Sequence, residues 1–128
     1  MKRILLTIGL FVSLALPVLA GTTIEQSFSA LTTPNVTSTV SCKYVVNHTW
    51  QYVLANVDTN AVFRIEGSLD GTNWFNMDDN DTDVTQTANG TYDFHAVRAV
   101  NYIRGRFVSE SGGTAATVTF TYKGLERL

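Results

Sequence analysis

The chain has 128 residues, with 9 basic and 11 acidic side chains and a formal net charge of −2 at pH 7. This length allows one domain with a single core. The mildly acidic balance argues against nucleic-acid binding, which needs an excess of basic side chains to neutralise phosphates. A single cysteine cannot form an internal disulfide, so the core must be held together by packing.

Residues 1–20, MKRILLTIGLFVSLALPVLA, have the pattern of a secretory signal peptide. Lys2 and Arg3 precede an apolar run, and Val18 and Ala20 are the small residues expected before a cleavage site. A retained membrane anchor is the alternative, although the run is near the lower limit for spanning a bilayer. We predict an exported protein, extracellular or associated with a cell or virion surface. Cleavage would leave 7 basic and 11 acidic residues, a net charge of −4.

Residues 21–37 are rich in threonine and serine and contain few apolar side chains, which predicts an extended arm before the domain at 38–128. Ile24 and Phe28 are four positions apart, so they would lie on one face of a strand. Such an arm could add to the sheet edge of a neighbouring subunit. It could also fold back on its own sheet or remain disordered.

From residue 38 onward, apolar and polar side chains alternate with a period of two, as in half-buried strands. Turn signals interrupt this alternation at intervals of about 8–12 residues. The pattern predicts an all-β chain that forms a single antiparallel β-sandwich, jelly-roll-like, of about seven or eight short strands. The predicted turns lie at residues 47–48, 58–60, 70–71, 89–90 and 111–113, of which Asn89 and Gly90 predict a two-residue hairpin.

Three stretches, FRIEGSLDGTNWFNM, NYIRGRF and GGTAATVTFTY, resemble a small β-sandwich type found in tailed-phage virions. The resemblance covers about residues 61–123 and implies a structural domain of the decoration, fibre or neck type. A weaker resemblance is to discoidin-like jelly-roll modules, through Ser68, Asp70, Gly71 and Trp74 and the later strand at residues 102–104. That second resemblance implies a binding module, although this chain is shorter and lacks the paired cysteines of those modules.

The stretch EGSLDGTNWF, residues 66–75, contains the strongest turn signal of the domain. Asp70 and Gly71 predict a hairpin loop of about four residues, in which Gly71 adopts positive φ and Asp70 binds downstream amides. Trp74 follows directly, and a large aromatic beside a strand is expected to pack in the core. The alternative is an exposed tryptophan that stacks on a sugar ring.

The acidic loop DDNDTD, residues 78–83, places Asp79, Asp81 and Asp83 at alternate positions. Carboxylate oxygens at this spacing are ligands that Ca²⁺ prefers. The EF-hand pattern would need glycine at its sixth position and glutamate at its twelfth, where this chain has Val84 and Gly90. The sequence therefore leaves two interpretations, a calcium site and a solvated acidic loop.

Arg104 and Arg106 lie two residues apart and should point to the same face of one strand. They could bind an anion or the carboxylates of a partner. Alternatively, Glu66 or Glu110 on a neighbouring strand could pair with them.

The chain shows no catalytic constellation. His48 in a predicted turn and His95 on an outward position have no helix or paired cysteine that would suggest zinc. Cys42 is expected to be a buried apolar side chain, with an intermolecular disulfide as the alternative. We therefore expect a protein that is not an enzyme and needs no cofactor unless calcium binds the acidic loop.

Two functions remain open from the sequence. The first is a structural protein that docks to itself or to a protein scaffold on a virion or cell surface. The second is a secreted carbohydrate-binding module with exposed aromatic side chains. The candidate aromatics are Trp50, Tyr52, Trp74, Tyr92 and Tyr102, and the candidate binding residues overall are Trp50, Trp74, Tyr102, Arg104 and Arg106.

Overall fold

A computed structural model describes residues 22–112 and 115–126, which form ten β-strands. The predicted signal peptide, residues 1–20, lies outside the described residues. Within the described ranges, no helix is long and apolar enough to cross a membrane. The strands are β1 Thr23–Ser27, β2 Asn35–Val36, β3 Val40–Ser41, β4 Val45–Ala55, β5 Asn60–Ser68, β6 Phe75–Asn76, β7 Val84–Gln86, β8 Gly90–Val97, β9 Tyr102–Ser111 and β10 Thr117–Glu126.

The strands form two antiparallel sheets that face each other as a sandwich. The first sheet has the order β1-β10-β4-β8. In the second, β9 and β5 lie side by side, with β2 and β3 along the outer edge of β9 and β6 and β7 along the outer edge of β5. The short strands β2 and β3 together form one edge of the second sheet, and β6 and β7 form the other. When each of these two pairs is counted as one strand, the sandwich has eight strands in jelly-roll order, which confirms the predicted all-β sandwich.

The described part of the segment predicted as an arm folds back on its own sheet. β1 pairs with β10 of its own sheet from Thr23 to Ser27. The Phe28 amide donates to the Phe120 carbonyl at 3.0 Å, and the Phe28 ring stacks on Trp50 with centroids 5.6 Å apart. The sandwich therefore includes β1, which lies before the predicted boundary at residue 38.

Aromatic side chains from both sheets fill the core. Tyr52 of the first sheet meets Phe63 of the second at a centroid distance of 4.2 Å, and Phe63 meets Phe120 edge-on at 6.3 Å. Trp50 and Tyr122 lie 4.9 Å apart within the first sheet and are fully buried. Burial of such large apolar surfaces is the main favourable contribution to folding.

Two predicted turns are wrong. His48 lies inside β4, which runs without interruption from Val45 to Ala55, and its side chain is buried. Asn89 and Gly90 do not close a hairpin, because β7 pairs with β5 whereas β8 pairs with β4 of the other sheet. Neither residue has the positive φ that a two-residue turn requires, and the Asn89 carboxamide oxygen instead accepts from the Val57 amide at 2.8 Å.

The sheets approach closely at Gly105 of β9. A Cβ added at this residue would lie 2.9–3.0 Å from the Phe120 ring, which is fully buried and cannot move aside. We predict that Gly105→Ala lowers the free energy of unfolding by about 1–3 kcal/mol through overpacking. Urea denaturation measures this change, with Ser109→Ala at an exposed position of the same strand as the control. An unchanged midpoint for Gly105→Ala would contradict the close packing.

Candidate functional site

The outer face of the second sheet carries a cluster of charged side chains. In the ladder between β5 and β9, Glu66 is opposite Arg104, and Arg64 is opposite Arg106. Side chains two residues apart on a strand share a face, so all four lie on the side away from the core. Their neighbours Ile65 and Ile103 point inward and are buried, which fixes the register.

Glu66 is the centre of this cluster, because its carboxylate contacts three guanidinium groups. Oε2 lies 2.7 Å from Arg104 Nε, and Oε1 lies 3.2 Å from Arg106 Nη1 and 3.7 Å from Arg64 Nε. Arg64 Nε is also 3.3 Å from Asp83 Oδ1. The Glu66 side chain is only 5% exposed, whereas Arg106 is 43% exposed. The arginines therefore cover a carboxylate that the sheet holds in place.

Trp74 extends this cluster. The Arg104 guanidinium lies 3.9 Å from the centroid of the Trp74 ring, a cation–π contact. Trp74 is half-buried and is not part of the core, so the prediction that it packs inside is wrong. The loop from β5 to β6 spans residues 69–74 rather than four residues, and this length places the ring over the outer face. We call Arg64, Glu66, Trp74, Arg104 and Arg106 the outer-face patch.

The hydrogen bonds and backbone conformation predicted for the turn before Trp74 are present, although the loop is longer than predicted. The Asp70 carboxylate accepts from the amides of Thr72 at 2.8 Å and Asn73 at 2.7 Å, and Gly71 has a φ of 78°. The hydrogen bonds from Asn73 and Thr72 lower the pKa of Asp70 well below its usual range. Tyr102 is half-buried. A Cβ atom at Gly71 would lie nearest to the Tyr102 ring. The loop that carries Trp74 is therefore held by its own hydrogen bonds.

The acidic loop does not gather its carboxylates into a metal site. Asp79 lies 3.4 Å from Arg98 Nη2, and Asp83 contacts Arg64. Asp81 has a positive φ of 54° and lies at a turn, where its amide donates to the Asp78 carbonyl at 3.1 Å. Among the described residues, no group of three His, Cys, Asp or Glu side chains could hold a metal ion. The calcium interpretation is thus not supported by the geometry.

The predicted aromatic residues do not line a common groove. Trp50 and Tyr52 are 0% and 3% exposed and belong to the core. Tyr92 stacks on Tyr52 with centroids 5.6 Å apart. Trp74 has one face occupied by Arg104. Of the five predicted binding residues, the structure brings together Trp74, Arg104 and Arg106. Tyr102 lies on the same face of β9 beside Gly71, and only Trp50 belongs to the core.

Sequence reasoning named Glu66 only as a counter-charge and missed Arg64. A signal was available, since Arg64 and Glu66 have the same two-residue spacing as Arg104 and Arg106. Recognising it would have required the register between β5 and β9, which the sequence does not provide.

The reactive side chains in the interior are already satisfied. His48 Nε2 lies 2.9 Å from the Arg98 carbonyl, which can only accept, so Nε2 carries the proton and Nδ1 accepts from the Tyr122 hydroxyl at 2.9 Å. Burial lowers the pKa of His48 and keeps the ring neutral. Cys42 is buried, as one of its two interpretations predicts, and burial raises its thiol pKa to about 11.

Comparison with solved structures shows that this fold also occurs in a prophage-derived protein. The crystal structure of the SPBc2 prophage-derived protein YomS aligns with a TM-score of 0.54 and 13% sequence identity, covering 97% of this chain and 100% of that chain. A chain from the disulfide-linked pili of Bacillus endospore appendages aligns with a TM-score of 0.45 and 9% identity, over 85% of this chain and 87% of that chain. No family model and no curated protein matches the sequence. The fold shared with a prophage-derived protein agrees with the predicted resemblance to small phage β-sandwich domains.

Glu66→Gln tests the electrostatic arrangement of the outer-face patch. The neutral side chain leaves three arginines close together without their common counter-charge. We expect the free energy of unfolding to fall by about 2–3 kcal/mol, since these arginines are partly hydrated and the loss is smaller than in a dry ion pair. Urea denaturation measures it. The control is Glu25→Gln at an exposed pair with Lys123, which should leave the midpoint unchanged. Equal midpoints for both variants would contradict the role of Glu66.

Because His48 is buried, we predict that the stability of the fold depends on pH. Its pKa in the folded protein lies below the ordinary 6.5, chiefly because of burial, with a smaller contribution from His95. The unfolded chain therefore binds a proton first as the pH falls, so stability is complete above about pH 6.5 and decreases below it. Urea midpoints across this range should fall less steeply for His48→Gln than for His95→Gln, which changes an exposed ring. Parallel pH profiles would contradict the buried neutral histidine.

Proposed function

We propose that this protein is a non-enzymatic structural protein that docks on a virion or cell-surface scaffold through its outer-face patch. The observation that carries this proposal is the buried carboxylate of Glu66, which accepts hydrogen bonds from Arg104 and Arg106 and lies 3.7 Å from Arg64 on one face of the sheet. Side chains that are held before binding lose little conformational entropy when a partner arrives. Arginine and tryptophan are also the residue types that contribute most to protein interfaces.

The charge of the patch favours an acidic partner. Three guanidinium groups, from Arg64, Arg104 and Arg106, face the carboxylates of Glu66 and Asp83, which leaves one net positive charge. This is a local reversal on a chain whose overall formal charge is −2. A guanidinium can bind a carboxylate through two parallel hydrogen bonds, so an Asp or Glu side chain of a scaffold protein suits this surface.

The surface next to the patch offers room for such a segment. A cavity of about 290 Å³ is lined by Arg104 and Arg106 of β9 and by residues 34–36 beside it. Its apolar lining from Pro34 and Val36 would accept the side chains that flank an acidic residue. The combination of charge, one aromatic ring and a shallow cavity is typical of a protein-docking face.

The interior chemistry supports a role without catalysis. His48 uses both ring nitrogens in internal hydrogen bonds, and the Cys42 thiol is buried with a raised pKa. A nucleophile or general base needs a free lone pair within reach of a substrate. The fold shared with a prophage-derived protein is compatible with a virion or surface location. The predicted signal peptide favours an exported route.

Gradient sedimentation of material from cells that carry the gene tests this proposal. The wild-type protein should migrate with large particles or with the cell envelope. Arg106→Glu reverses the most exposed charge of the patch and should shift the protein to the slow, unattached fraction, with an unchanged far-ultraviolet spectrum. At least a tenfold loss of attached protein is expected if one charged contact at the centre of an interface is lost.

Lys123→Glu is the matched control, because it reverses an exposed charge on the outer face of the other sheet. This variant should sediment as the wild type does. A wild-type protein found only in the slow fraction would overturn the structural role. An Arg106→Glu variant that remains attached would show that docking uses another face.

A further inference from the structure

The two sheets differ in how their edges are protected. In the second sheet both edges are broken, between β2 and β3 and between β6 and β7. At the first break, Thr37 Oγ1 accepts from the Gly105 amide at 3.0 Å in place of a ladder bond. At the second, residues 78–83 leave the sheet as a loop. Such interruptions prevent another chain from adding to an edge.

The first sheet ends in β8, an unbroken edge strand of eight residues from Gly90 to Val97. Its pairing with β4 shows no register shift. The other edge of this sheet, β1, has only five residues. Long, regular edges are usually shielded in natural proteins, because their free amides and carbonyls pair readily with other strands.

The ladder shows which main-chain groups of β8 are free. The Arg98 amide donates to the Val46 carbonyl at 3.1 Å, so this pair exchanges hydrogen bonds with β4. Because bonded residues alternate in an antiparallel ladder, residues 96, 94 and 92 also bond to β4. The residues between them, Thr91, Asp93, His95 and Val97, direct their amides and carbonyls to the free edge. In the described part of the chain, β8 pairs with no strand other than β4.

We infer that β8 is a self-association edge, where two copies of this chain pair antiparallel about a two-fold axis at Phe94. This inference goes beyond the proposed function and does not involve the outer-face patch. The pairing would join the two four-stranded sheets into one continuous sheet. In this register every free residue of β8 meets a free residue of the second copy, so each pair can exchange both hydrogen bonds.

The side chains of β8 are complementary in this register. Asp93 lies opposite the second copy's His95, and symmetry repeats the pair, so a carboxylate faces an imidazole twice. Thr91 lies opposite the second copy's Val97, a side chain that is 69% exposed in one subunit. A register centred on Asp93 would place two carboxylates face to face, which opposes that alternative.

The inner side of the edge also fits a second copy. Phe94 is only half-buried against the core, and the two-fold axis would bring it against Phe94 of the second copy. Ala96 has a small side chain and lies opposite the second copy's Tyr92. A cavity of about 330 Å³ between residues 94–97 and the loop at 77–80 gives that ring space. Self-pairing of the β1 edge would form fewer hydrogen bonds, because only Thr23, Glu25 and Ser27 direct their main-chain groups to that edge.

Sedimentation equilibrium on the chain from Gly21 onward, over a concentration series of about three decades, tests this edge. The wild type should change from monomer to dimer and stop there, because a two-fold interface is closed. His95→Pro removes one amide that points to the free edge, not to β4, so the fold and its spectrum should persist while the dimer dissociates at least tenfold more readily. Glu25→Pro is the matched control, since its amide points to the free edge of β1, and it should dimerise as the wild type does.

A charge swap keeps the test decisive if His95→Pro does not fold. Asp93→Lys should weaken the dimer, and the double variant Asp93→Lys with His95→Glu should restore it. A wild type that stays monomeric throughout the series would overturn the inference. A dimer that Asp93→Lys does not weaken would also overturn it. So would assembly into oligomers larger than a dimer that Glu25→Pro abolishes. These outcomes differ from a failure of the proposed scaffold docking, which is measured separately with Arg106→Glu.

Discussion

The aromatic core between the two sheets is the constraint on which the rest of this structure depends, because the single cysteine cannot form an internal cross-link. Phe63 and Phe120 join the sheets, and the Phe120 ring lies against the bare backbone of Gly105. This contact holds β9 close to β10 across the sandwich. A close and well-packed core gives the outer side of β9 a fixed position, so arginines on that side can be held in defined places.

Electrostatics then determine what the outer side presents. Glu66 would be costly to bury alone, and three arginines offset that cost. The same carboxylate prevents the arginines from repelling one another, and Arg104 supplies the contact that holds Trp74 on the surface. The patch and the sheet beneath it thus form one unit, with stability and recognition depending on the same ion pairs.

The sequence predicted the sandwich and most of its strands, since alternation with a period of two is a direct signal of half-buried strands. It failed where a local pattern competes with tertiary pairing. The residues around His48 look like a turn, yet the ring finds two buried partners that are distant in sequence. Asn89 and Gly90 look like a hairpin, yet the chain passes between sheets there. Trp74 was misplaced because its side depends on loop length, and the patch was only half-recognised because strand register is a long-range property.

The loop between β6 and β7 is a place where this fold can accept a longer chain. Its two ends are fastened to the sandwich, where the Met77 amide donates to the Ile65 carbonyl at 2.8 Å and β7 pairs with β5. The residues between these attachments lie outside every ladder, so the pairing of the remaining strands does not depend on how many there are. A foreign peptide inserted near Asn80 would therefore be displayed on the surface at a small cost in loop-closure entropy. The acidic loop makes this sandwich suitable as a carrier for presented sequences.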